Sequence, residues 1–232
     1  MAILRIIGDV HGQIETEDLI PGVPRTYLEA IADVEFSLQV GDMGDSQTYR
    51  QLNAHVDPVR HRFFPGNHDH FGSFPPHCLG DFGRIQLGGV EVFYIRGAAS
   101  TDKEKLIRTG QQLGKTLWFE QEELTDREMD AAAKAYLAAK PSIVVTHDAP
   151  ADIARLVSEY MERHRRRTVA RIFRPSRTNL FLTRLQEGHA PRLWVFGHHH
   201  HDWSYQEGPT HFRCLGELSC IDIDSSGRVL TS

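Results

Sequence analysis

Short runs of apolar, β-branched residues recur along this chain, and each is closed by a Gly, Pro or Asp, the pattern of a buried strand that exits into a loop. Five such runs matter, at residues 2–7, 35–40, 59–64, 142–145 and 193–196. Between the first two, residues 24–32 place Tyr27, Leu28 and Ile31 at helical spacing. Residues 125–139 open on a capping Thr and continue Ala-rich, so both segments are predicted helices. Strand alternating with helix predicts an α/β architecture in which helices cover sheets. Two hairpin patterns add antiparallel pairs: residues 84–87 and 90–95 flank Gly88-Gly89, and residues 221–223 and 228–230 flank Ser225-Ser226-Gly227. Mixed sheets are therefore expected rather than purely parallel ones.

The length, 232 residues, predicts one domain spanning 1–232. With 40% hydrophobic and 25% charged residues the composition is that of a globular chain and excludes a disordered one. A net charge of -5 argues against a broad grip on nucleic acid or an anionic membrane. No run reaches the roughly 18 apolar residues of a membrane span, and the N-terminal stretch lacks the features of a signal peptide. A cytoplasmic location with no membrane partner is the expectation. Cys78, Cys214 and Cys220 form no CxxC pair and are odd in number, so they read as reduced and structural. Histidine is the unusual count, at 14, and raises the question of a metal site.

The residues that follow the five strands answer it. They are Gly8-Asp9-Val10-His11-Gly12, Gly41-Asp42-Met43-Gly44-Asp45, Gly66-Asn67-His68-Asp69, Thr146-His147-Asp148 and Gly197-His198-His199-His200. Open α/β sheets bind ligands outside the carboxyl ends of their strands, so five such loops are expected to converge on one site. Imidazole nitrogens with carboxylate and amide oxygens, and no thiolate, suit Mn, Fe, Zn or Co better than Cu(I) or an iron–sulfur cluster. The candidate ligands exceed the four of one tetrahedral zinc, which points to two divalent metal ions sharing a carboxylate, with Asp42 the natural bridge. Two cations about 3.5–4 Å apart lower the pKa of a trapped water to roughly 7 and clamp both oxygens of an in-line displacement, which is phosphoryl-ester chemistry.

The ordered set DxH, GDxxD, GNHD, a lone His and GHxH resembles the calcineurin-like metallophosphoesterases, and its motifs span residues 9–200. A tetrapeptide such as GNHD arises by chance in about one in a thousand chains of this size, taking ~5% per residue; five in order are far rarer. The resemblance implies a four-layer αββα sandwich of two mixed β-sheets flanked by helices, with the metals at one edge. It implies that Asp9, His11 and His200 hold one metal, that Asn67, His147 and His198 hold the other, and that Asp42 bridges them. It makes His68 the outer-sphere catalytic histidine, acting on the leaving oxygen, with Asp45 orienting its ring.

Departures narrow the substrate. Ser/Thr protein phosphatases carry phosphate-binding arginines where this chain has Ser46 and Pro65. A small-molecule or nucleotide phosphate ester is therefore favoured over a phosphoprotein, with Arg96 and Arg177 as candidate phosphate cations, and nothing in the charge supports nucleic acid. Asp69 reads as a brace of its turn, and His199 and His201 as residues that line the cleft or face solvent. Residues 163–177 hold seven arginines in fifteen positions. They read first as a solvated helix face and second as a lid over an anionic substrate. The function expected is metal-dependent hydrolysis of a phosphomonoester or phosphodiester. The alternatives are a non-catalytic metal-binding scaffold and a hydrolase of non-phosphate bonds. Seven candidate ligands and His68 weigh against the first, and the ordered motifs against the second.

Overall fold

Ile6 and Ile7 are neighbours in β1 (Ile3–Ile7) yet are buried in different cores, because successive side chains of a strand point to opposite faces. The computed structural model, which describes residues 3–16, 25–165 and 173–230, repeats this division across two mixed sheets. In the first sheet β1 lies beside β2 (Phe36–Gln39) and β2 beside β3 (His61–Phe63), both in parallel. On the other side β10 (Cys220–Asp224) runs antiparallel to β1 and is followed by β11 (Val229–Leu230).

The second sheet has a parallel centre of β5 (Val90–Ile95), β6 (Ile143–Thr146), β7 (Leu193–Phe196) and β9 (Thr210–Cys214). Antiparallel strands close its edges, β4 (Phe82–Leu87) on β5 and β8 (Trp203–Glu207) on β9. Across the first hairpin Leu87 pairs with Val90. Gly88 and Gly89 between them have φ of 57° and 79°, the left-handed pair that a two-residue type I′ turn requires.

Leu4, Ile6, Leu38 and Val40 of the first sheet pack on Val92, Val145, Leu193 and Val195 of the second, forming the central core. Outside the first sheet, α1 (Tyr27–Ile31) and α2 (Ser46–His55) bury Tyr27, Ala30, Tyr49 and Leu52 against Ile7 and Phe63. Outside the second, α4 (Asp126–Ala139), α5 (Ala151–Arg165) and α6 (Arg177–Gly188) cover Val144, Trp194, Phe196 and Phe212. The helix α3 (Lys103–Leu113) follows the loop after β5. The layers are thus helix, sheet, sheet, helix, as the motif resemblance implied. β6 and β7 are buried at every position, which is why they read as unbroken apolar runs. The three cysteines are free. No helix among the described residues is long and apolar enough to cross a membrane.

Candidate metal centre

The loops leaving β1, β2, β3, β6 and β7 meet and are laced together by their own backbones. Val10 and His11 donate their N–H groups to Asp42 O at 3.0 and 2.8 Å, and Gly197 N donates to His147 O at 3.1 Å. Asp69 joins two more loops: its Oδ1 accepts from Gly44 N at 2.8 Å and Tyr49 OH at 3.1 Å, and its Oδ2 from Gly66 N at 2.8 Å. Burial, then the nearby Asp42 charge, pushes the Asp69 carboxyl up to about 6. It is the expected brace. Four residues of the motifs adopt left-handed backbone, His11 (φ 49°), Asp42 (59°), His198 (66°) and His200 (51°). Such strain in non-glycine residues gathers at functional sites, where the surroundings over-determine it.

Asp9, His11, Asp42 and His200 each offer one donor atom, and these atoms lie within 4.8 Å of one another. Asp9 is fully buried, and both its oxygens accept from His198 N at 3.1 Å. His200 Nε2 stands 3.2 Å from Asp9 Oδ2 and 3.0 Å from His11 Nε2. Its Nδ1 faces Glu217 Oε1 at 3.0 Å. A carboxylate on the far nitrogen fixes the tautomer and leaves Nε2 as the donor, the arrangement common behind metal-bound imidazoles.

Asp42 faces a second group with its other oxygen. His147 Nε2 lies 3.3 Å from Asp42 Oδ1 and 3.0 Å from Asn67 Oδ1, while His147 Nδ1 donates to Val40 O at 2.9 Å. The His198 ring centroid is 5.2 Å from that of His147. Burial would push His147 down, but the Asp42 carboxylate raises it to about 10. Burial pushes Asp42 up, and His147 holds it well below the usual carboxylate range. A positive charge is stabilised at this point. Burial lowers His198 to about 4, keeping the imidazole neutral as a ligand must be. Asp42 Oδ2, 3.8 Å from His11 Nε2, is buried with no hydrogen-bond partner among the described residues. Buried carboxylates are costly unless paired. Two of them, one with an unpartnered oxygen, among imidazole and amide donors form a set that fits divalent cations.

His68 is exposed at the rim, its ring centroid 5.7 Å from that of His11. It lines a cleft of about 410 Å³ with His11, Asp45 and Thr48. Asp45 is the N-cap of α2: its Oδ1 accepts from Gln47 N at 2.9 Å and Thr48 N at 3.1 Å. It shares the cleft with His68, and the hydrogen bonds of its carboxylate go to the helix end. A second cleft, of about 740 Å³, runs from Asn67, His68 and His198 past Met161 to Phe173 and Arg174. His199 lines it, with Nε2 3.4 Å from Asp148 Oδ1.

The two arginines considered for phosphate are engaged elsewhere. Arg96 is buried, donates to Asp81 Oδ1 at 2.6 Å and Gln121 O at 2.5 Å, and lies over the Phe71 ring. Arg177 pairs with Asp126 Oδ1 at 2.7 Å. Arg174 is the cation on the larger of these two clefts. In the basic segment, Arg163 lies on the exposed side of α5, 3.7 Å from Glu159 Oε2. The side chain of Arg165, and Arg166 and Arg167 altogether, fall outside the described residues.

Glu217, Ser100 and Glu122 belong to none of the five motifs, yet Glu217 stands directly behind His200, Ser100 directly behind Asn67, and Glu122 behind Ser100. Ser100 and Glu122 follow β5, which runs parallel to β6 and so ends on the same side as the motif strands, while Glu217 follows β9.

No curated protein sequence matches the chain. Among solved structures, the phosphopantetheinyl hydrolase of Mycobacterium tuberculosis is 12% identical at a TM-score of 0.45, with 94% of this chain and 90% of that one covered. GAP50 of Plasmodium is 11% identical at a TM-score of 0.47, covering 100% and 88%. Zinc-complexed Vps29 of Entamoeba histolytica is 12% identical at a TM-score of 0.38, covering 96% and 85%. The model of calcineurin-like phosphoesterases matches residues 4–202, from β1 through the last histidine loop, and to that family the chain belongs.

Proposed function

We propose that this chain, read as one domain over residues 1–232, hydrolyses a phosphomonoester or phosphodiester at a pair of divalent cations. Asp9, His11 and His200 would hold one cation, Asn67, His147 and His198 the other, and Asp42 would bridge them. The observation that carries this is Asp42 itself, fully buried, with Oδ1 toward His147 and the unpartnered Oδ2 toward His11. When bound, the cations supply Lewis acidity to the phosphoryl oxygens and to an attacking water.

The protein's own groups complete the reading. His68, which is exposed and lines both clefts, would give a proton to the leaving oxygen. Asp45, anchored on α2, is the positioning residue for its ring. The cleft of about 740 Å³ is of the size that encloses a small organic molecule. Its mixed lining of Met161, Phe173 and Arg174 suits a small-molecule or nucleotide ester better than a phosphoprotein. The test is hydrolysis of bis-(p-nitrophenyl) phosphate and p-nitrophenyl phosphate by Mn-loaded protein, with metal content measured on the same samples. Activity should require metal, and His68→Ala should lower kcat by about 10²–10⁴ with metal retained. Two bound metals with neither ester cleaved would instead favour a metal-binding scaffold.

A further inference from the structure

Asn67 is the amide in a donor set otherwise built of carboxylates and imidazoles. An amide presents a cation with either an acceptor oxygen or a useless NH₂ group, depending on which way it faces. The loop after β5 decides this. Asn67 Nδ2 lies 3.0 Å from Ser100 Oγ. Ser100 Oγ donates its single proton to Glu122 Oε2 at 2.6 Å, and Ser100 N donates to Glu122 Oε1 at 2.9 Å. With its proton given to Glu122, the hydroxyl can meet Asn67 only as an acceptor. The amide nitrogen must therefore face Ser100, and Oδ1 must face His147 Nε2, 3.0 Å away.

Glu122 is a costly residue to place here. It is 4% exposed, and a carboxylate that deep is tolerated when hydrogen-bonded. Among the described residues the hydrogen bonds of its carboxylate both go to Ser100. Its backbone is built into the same loop, since Glu122 O accepts from Ala98 N at 3.2 Å. We propose that Glu122 and Ser100 are positioning residues for the metal centre: Glu122 sets the Ser100 hydroxyl, and Ser100 holds Asn67 with its oxygen turned toward the donors. This rests on the metal-centre reading above.

The test is Mn(II) titration of the metal-stripped full chain by calorimetry, for wild type, Ser100→Ala, Ser100→Thr and Glu122→Gln, with thermal unfolding of each metal-free protein alongside. Ser100→Ala lets the amide turn, and one of the Mn binding steps should weaken about 10- to 100-fold, the range for losing an outer-sphere partner. Ser100→Thr keeps the hydroxyl and should restore wild-type affinity. Glu122→Gln should weaken the same step, because an amide NH₂ turned to Ser100 no longer takes the hydroxyl proton, which is then free to turn to Asn67 and favour the flipped amide. In metal-free protein the Asn67 side-chain amide protons should exchange with water faster in Ser100→Ala than in wild type. Wild-type Mn affinity in Ser100→Ala overturns the relay, as does Ser100→Thr binding as weakly as Ser100→Ala. Because the readout is binding, a wild-type protein that takes up Mn yet cleaves no ester would remove the esterase reading and leave the relay standing.

Discussion

Gly197 shows how tightly single residues are fitted at the centre. A Cβ there would overlap Asp9 Oδ1 and approach Val40 Cγ2 to 2.6 Å. The atoms it would displace are the carboxylate that receives His198 N and a side chain of the central core. Overpacking of this kind costs about 1–3 kcal/mol. Gly197→Ala should lower the urea midpoint and, by pushing Asp9 off its place, weaken Mn uptake. If Mn affinity in this variant matched wild type, Asp9 would not be the ligand assigned to it. The left-handed backbones of His11, Asp42, His198 and His200 belong to the same scale. Each costs about 1–2 kcal/mol as a non-glycine residue, offset by the hydrogen bonds that lace the loops together.

At the level of elements, helix ends do two jobs. In α4 the end is purely structural: Thr125 Oγ1 accepts from Glu128 N at 3.3 Å, and Glu128 Oε2 accepts from Thr125 N at 2.7 Å. Those bonds, the backbone one foremost, hold the Glu128 carboxyl below its usual value. A depressed folded-state value means that the stabilisation is complete above the unfolded glutamate value of about 4.3 and is lost as pH falls through the folded one. Urea unfolding of wild type against Glu128→Gln should therefore show a gap near neutral pH that closes in acid. A gap independent of pH would mean that the charge contributes nothing. In α2 the cap is Asp45, so the residue assigned to orient His68 is also the one that starts a helix. Asp45→Ala should therefore cost about 1 kcal/mol of stability, whereas Asp45→Asn keeps the cap.

For the whole molecule, the donors come from both sheets. Asp9, Asp42 and Asn67 leave β1, β2 and β3, while His147, His198 and His200 leave β6 and β7. Cations bound between them would tie the two halves of the sandwich together in the folded state alone. At free Mn about 100 times Kd that linkage is worth about 2.7 kcal/mol, or a Tm rise of about 5–11 °C for a chain of this length. Thermal unfolding with Mn titrated in, then with EDTA, should show the rise and its reversal. A Tm indifferent to both would remove the two-metal reading.

Much of this architecture was legible before folding. Unbroken apolar runs marked β6 and β7 because both faces of those strands are covered, and Gly88-Gly89 marked a hairpin because few residue pairs adopt that turn. The capping Thr125 marked the start of α4 through a purely local hydrogen bond. Other elements were silent for equally physical reasons. The edge strand β8 is mostly exposed, and α3 fully buries Gly110 alone, so neither is marked by an unbroken apolar run. The residues that would donate to a cation were named by their motifs, since their type and order follow from chemistry. The groups behind them were not: Glu217 behind His200, and Glu122 and Ser100 behind Asn67, are ordinary polar residues in loops of different strands. The use of Arg96 was hidden in the same way, because a guanidinium that binds Asp81 and one that awaits phosphate have the same sequence. The sequence by itself determined which atoms could bind a cation and which strands could be buried; only the packing of two sheets face to face decided which atoms face one another, because hydrogen-bond partners far apart in the chain are chosen by strand order and register.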